Sequence, residues 1–168
     1  RAQINLKYNV GTSLADHCSI SWFVFHFSYI FNFATGGSSN HCHFSISHCG
    51  HFAAAIVDEN QNVGIDIELQ REKIARIADK FVEHEFDYLN KESAEYIKKL
   101  TVIWGAKEAK YKMCNSRSLS FKDDMKVFSF DLANGKGKAS VQQNEFEKEF
   151  NFFFEEFEGF TLVYALEK

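Results

Sequence analysis

The chain has 168 residues, 45% of them hydrophobic and 25% charged, which suits one globular domain with a buried core. A net charge of -4 excludes a general basic surface for nucleic acid, so a phosphate-bearing ligand would need a local patch or a metal ion. Cys18, Cys42, Cys49 and Cys114 form no CxxC pair and are read as reduced thiols of a cytoplasmic protein.

Residues 17–57 contain no Asp, Glu, Lys or Arg, and 18–34 are densely aromatic. A membrane span needs roughly 20 mainly apolar residues. Serines, His26 and Asn32 interrupt this run and it partly alternates, so one or two buried strands are expected and no membrane span. No clean small-residue cleavage pattern follows it, so a secretory signal is not expected either. The 19 phenylalanines must pack largely inside.

Residues 35–40 (TGGSSN) read as a loop that separates an atypical segment, 1–40, from a more conventional domain, 41–168. Strands are expected at 43–47, 52–57 and 63–68, with a turn at 58–62. Apolar residues from Ile74 to Leu89 recur at helical spacing, and a second helix is expected over about 94–114, with Ile97, Leu100, Trp104 and Tyr111 on one side. Strands at 127–132, 138–142, 149–154 and 160–166 complete an α+β domain, an antiparallel sheet packed against a helical pair.

Three segments carry chemistry. In the strand Val63-Gly64-Ile65-Asp66-Ile67-Glu68, alternation sends Val63, Ile65 and Ile67 to the core and Gly64, Asp66 and Glu68 the other way. The two carboxylates stand about 7 Å apart and repel, which a hard divalent cation would relieve. Gly64 leaves room for something bulky beside the backbone. The alternative is a solvated polar face. In the second helix Trp104, Glu108 and Lys112 lie four apart on one stripe, so Glu108 could supply a third oxygen ligand. The alternative there is an ordinary Glu-to-Lys helix pair. Third, Ser47, His48 and Gly50 end a strand with donors a phosphate could use, or with a locally satisfied histidine.

In this order the segments SISHCG (45–50), VGIDIE (63–68) and WGAKEAKYK (104–112) resemble the signatures of the phosphopantetheinyl transferase superfamily. ADKFVEHE (78–85) is similar to the stretch that family carries between the last two. A histidine segment ahead of the acidic strand resembles the longer, two-halved, surfactin-synthetase-activating type, here with a shortened N-terminal half. Cys49 stands where that family has Ser or Thr.

The resemblance implies a Mg2+-dependent enzyme of the holo-[acyl-carrier-protein] synthase type. It would move 4'-phosphopantetheine from coenzyme A to a serine of an acyl or peptidyl carrier protein, as in fatty acid biosynthesis, and release 3',5'-ADP. It implies Asp66, Glu68 and Glu108 as metal ligands, and Glu108 and Lys112 as catalytic groups. Ser47 and His48 would contact the 3'-phosphate, with Lys107 and Lys112 at the other phosphates. The short N-terminal part leaves truncation, rearrangement and self-association open. Two other readings remain: a catalytically impaired relative that binds carrier protein, and a zinc site built from His41, Cys42, His43, His48, Cys49 and His51.

Overall fold

The computed structural model describes residues 21–26 by their backbone, and residues 43–58, 60–114, 119–143 and 146–166. The loop expected at 35–40, with the domain boundary, and the aromatic run outside 21–26 lie beyond the described residues.

Among the described residues, two antiparallel sheets and one long helix make the fold. The smaller sheet joins β1 (Ser21–His26), β3 (Phe52–Asp58) and β2 (His43–Cys49) in the order β1-β3-β2. The larger has the order β4-β8-β7-β6-β5, from β4 (Val63–Leu69), β5 (Met125–Val127), β6 (Lys136–Gln143), β7 (Phe146–Phe157) and β8 (Phe160–Leu166). In the β4–β8 ladder Asp66 lies opposite Val163 and Glu68 opposite Thr161. The turn from β3 to β4 is held by the buried Asp58 carboxylate, which accepts the backbone N–H groups of Asn60 (2.7 Å) and Gln61 (3.0 Å).

The strand β4 is covered on both faces. Val63, Ile65 and Ile67 cluster with Ala54 and Ile56 of the small sheet and with Phe160, Leu162 and Tyr164 of β8. On the other face lies α2 (Tyr96–Met113). The expected alternation holds, but the second face meets a helix rather than solvent. Gly64 makes that approach possible. A Cβ there would stand 1.9 Å from the Ala109 carbonyl oxygen and 2.9 Å from Met113 Cγ. The bulky neighbour expected at Gly64 is therefore helix backbone. Gly64→Ala is expected to cost about 3 kcal/mol, because backbone cannot rotate aside as a side chain would. Thermal denaturation should show a fall in Tm on the order of 10 °C.

Phenylalanines sort by the two-residue period of β7. Phe150, Phe152 and Phe154 face the core beneath α2, while Phe153 and Phe157 face the cluster shared with the small sheet.

Three expectations need correction. The helical spacing at 74–89 does not give one helix. It gives α1 (Lys73–Arg76) and two 3-10 turns, Ala78–Lys80 and His84–Asp87. In a continuous helix the Phe81 carbonyl would accept from the backbone of Glu85. Here it accepts from Lys107 Nζ (2.7 Å), and the Glu85 side chain turns inward. Second, β5 stops at Val127. Asp131 then caps a 3-10 turn (Leu132–Asn134) that ends in left-handed Gly135. Third, α2 is not one-sided, since its buried residues, including Leu100, Val102, Ile103 and Ala106, surround the axis.

Candidate functional site

The acidic end of β4 meets α2 and β2 at one place. Asp66 is 4% exposed. Its Oδ1 accepts from the Ser47 hydroxyl at 2.7 Å and from the Lys112 ammonium at 2.9 Å. Lys112 also donates to the Ile65 carbonyl at 2.9 Å. The other oxygen of Asp66, Oδ2, is enclosed and has no hydrogen-bond partner among the described residues. It is turned toward Gly105 of α2, where an added Cβ would lie 3.8 Å away.

Glu68, half-buried beyond Asp66, accepts from the Cys49 thiol at 3.6 Å and from the Trp104 side chain. Burial, then the Asp66 charge, pushes its carboxyl above the usual range, against the two hydrogen bonds and Lys112. Glu108 sits one helical turn beyond Gly105. Burial likewise raises its carboxyl, with Asp66 and Glu68 adding to the effect and Lys112 opposing it. Three carboxylates from β4 and α2 thus share one electrostatic environment, with Lys112 as the cation that Asp66 meets. Burial pushes the Cys49 thiol up as well, which keeps its proton on sulfur for Glu68.

The raised carboxyls fix the sign of a pH effect. A carboxyl whose folded pKa exceeds its unfolded value holds its proton more tightly when folded. Its contribution favours the fold at low pH and is lost as pH rises through the folded value. With divalent ions chelated, Glu108→Gln is therefore expected to stabilise the protein at neutral pH. The gain is about 1 kcal/mol after discounting for partial solvent screening. It should vanish below the ordinary carboxylate value of 4.5. Urea denaturation at both pH values checks it.

The donor set fits a hard divalent cation: oxygen ligands, an unpartnered buried carboxylate oxygen, and two neighbours held against ionisation by burial and by the Asp66 charge. As it stands, no group of three or more His, Cys, Asp or Glu side chains among the described residues is arranged to hold a metal ion.

Other expected site residues fall elsewhere. Ser47 and His48 are neighbours on a strand and so face opposite ways. Ser47 is buried against Asp66, whereas His48 is exposed with Phe44 and Ile46. Lys107, expected beside the phosphates, is instead 0% exposed and ion-paired at 2.8 Å with Glu85, also 0% exposed. Its remaining donors go to the carbonyls of Phe81 (2.7 Å) and Phe121 (2.9 Å). A lysine so enclosed cannot also hold a phosphate. For the zinc reading, His48 and Cys49 point to opposite sides of β2, and the His51 ring packs on Phe52, with centroids 4.5 Å apart. His41 and Cys42 lie outside the described residues.

Two contributors escaped the sequence reading: Cys49 as a donor to Glu68, and Ser45, whose Oγ accepts the Ile65 N–H at 3.2 Å. The two-residue period of β2 would have found both. It places Ser45, Ser47 and Cys49 on the side that meets β4. No helix among the described residues is long and apolar enough to cross a membrane.

A comparison with curated proteins finds no match. A family model matches residues 62–165, more than half of the chain, from just before the acidic strand to the end of the five-stranded sheet. β2, with Ser47 and His48, lies outside that span. The matched span contains Asp66, Glu68, Glu108 and Lys112 in the arrangement described above, and the chain belongs to the 4'-phosphopantetheinyl transferase superfamily.

Proposed function

We propose that the chain transfers 4'-phosphopantetheine from coenzyme A to a serine of an acyl or peptidyl carrier protein, with Asp66, Glu68 and Glu108 as ligands of Mg2+. The observation that carries this reading is the unpartnered, buried Oδ2 of Asp66 beside two carboxyls that resist ionisation. When bound, Mg2+ would supply positive charge to the pyrophosphate and to the phosphoryl group in transit.

The chain's own groups do the rest. Glu108 takes the proton of the attacking serine hydroxyl. The serine oxygen bonds to the phosphorus that bears the pantetheine arm. The bond from that phosphorus to the bridging oxygen breaks, and 3',5'-ADP leaves. Lys112, on its flexible stem, gives positive charge to the phosphate oxygens. His48, exposed on the outer side of β2, is the candidate contact for the nucleotide's 3'-phosphate. Lys107 is left out of the phosphate set because its ammonium is enclosed. The β2–β3 hairpin ahead of the acidic strand supports the two-halved subtype and an enzyme of the holo-[acyl-carrier-protein] synthase type. The free thiol of Cys49 fits a cytoplasmic setting.

The test incubates the protein with coenzyme A, Mg2+ and an apo carrier protein, and follows the carrier by intact mass. The expected result is addition of one phosphopantetheine per carrier with stoichiometric 3',5'-ADP. Binding of the carrier without any mass gain would instead establish a non-catalytic carrier-binding protein.

A further inference from the structure

We propose that Ser47 is a positioning residue for Asp66: it holds one carboxylate oxygen so that the other stays aimed at the site, and it does not contact the nucleotide. This rests on the metal-site reading of Asp66, Glu68 and Glu108.

Oδ1 of Asp66 has two donors of different character. The Lys112 ammonium lies 2.9 Å away, on a four-carbon stem, and is itself 27% exposed. The Ser47 hydroxyl lies 2.7 Å away, on a one-carbon stem, and is buried. Together they fix the plane of the carboxylate and leave Oδ2 enclosed, unpartnered and turned toward Gly105. Only Ser47 can keep that plane throughout a reaction. Lys112 carries charge and can swing toward a phosphate, whereas the serine hydroxyl is neutral and fixed by its strand.

The strand holding Ser47 is itself braced. β2 pairs with β3 along its length, and the Ser45 hydroxyl accepts the Ile65 N–H one residue before Asp66. Hydrogen bonds that orient a metal ligand are worth about 10- to 100-fold in metal affinity. A hydroxyl already committed to Asp66 on the buried side of β2 is not available to a ligand on the exposed side, where His48 lies.

The test uses Mn2+ as a paramagnetic, oxygen-preferring probe and measures its affinity by EPR without coenzyme A or carrier. Ser47→Ala is expected to weaken Mn2+ binding by about 10-fold or more. Ser47→Thr, which keeps the hydroxyl, should restore most of the affinity. Ser45→Ala, which removes a brace on the strand but no donor to Asp66, should weaken it less than Ser47→Ala does. In transfer assays, Ser47→Ala should slow coenzyme A and 3'-dephospho-coenzyme A by the same factor. Should Ser47→Ala not fold, Ser47→Cys carries the same comparison.

Mn2+ affinity equal to wild type in Ser47→Ala overturns the proposal. So does an equal loss in Ser45→Ala, or a loss confined to the substrate bearing the 3'-phosphate. If wild type binds no Mn2+, the metal-site reading falls and this proposal with it. If wild type binds Mn2+ and Ser47→Ala binds it equally well, only this proposal falls.

Discussion

Asp66→Asn is expected to lower phosphopantetheine transfer by at least about a hundredfold while leaving a folded protein. The substitution keeps shape and one carbonyl oxygen, which can still accept from Ser47 and Lys112 at the positions of Oδ1. It removes the charge and places an amide where Oδ2 has no partner. Relief of the repulsion on Glu68 and Glu108, to which the Asp66 charge contributes, offsets part of the lost ion pair with Lys112. The unliganded variant should therefore melt close to wild type.

The difference should lie in the response to Mg2+. A ligand at a hundred times its Kd stabilises a fold by about 2.7 kcal/mol. Wild type should gain that stability in saturating Mg2+ and Asp66→Asn should not. Denaturation with and without Mg2+, alongside the transfer assay, separates loss of the ion from loss of the fold. Transfer at the wild-type rate in Asp66→Asn would remove Asp66 from the mechanism.

The acidic strand and the long helix were legible because each is written in one period. Val63, Ile65 and Ile67 alternate with Gly64, Asp66 and Glu68 and end in different surroundings, as a strand demands. Trp104, Glu108 and Lys112 are spaced at helical turns and all come to the acids of β4. The same rule was available for β2. Applied there, it joins Ser47 to Cys49 and parts it from His48, where adjacency in the chain suggested a pair.

The broken helix at 74–89 was not legible. Its apolar spacing is helical, and what interrupts it is a lysine 26 residues farther on that takes the Phe81 carbonyl. Nothing local encodes that. Nor does composition distinguish Lys107 from Lys112. One is enclosed and the other is at the site because they lie five positions apart on a helix buried nearly all round.

Lys107→Met is expected to destabilise the protein by about 3–5 kcal/mol, a fall in Tm on the order of 10 °C, with coenzyme A affinity unchanged in the folded fraction. Burial pushes the Lys107 ammonium below its ordinary range, and only the Glu85 carboxylate, 2.8 Å away, opposes this. Remove the ammonium, and Glu85 keeps a buried negative charge with no cation. The carbonyls of Phe81 and Phe121 lose a donor at the same time.

Glu85 cannot escape by turning outward. Its Oε1 also accepts the Val127 N–H at 2.8 Å and its Oε2 the Glu83 N–H at 3.2 Å, so it ties the broken helix to β5. Glu85→Gln removes the charge and keeps one carbonyl oxygen, which serves the Val127 N–H but not the Glu83 N–H as well. Adding Glu85→Gln to Lys107→Met should therefore recover part of the loss, leaving the two carbonyls and the Glu83 N–H as the residual cost. A lysine that held coenzyme A phosphates would behave in the opposite way. Its loss would raise the KM for coenzyme A, leave the melting curve in place, and gain nothing from a change at Glu85.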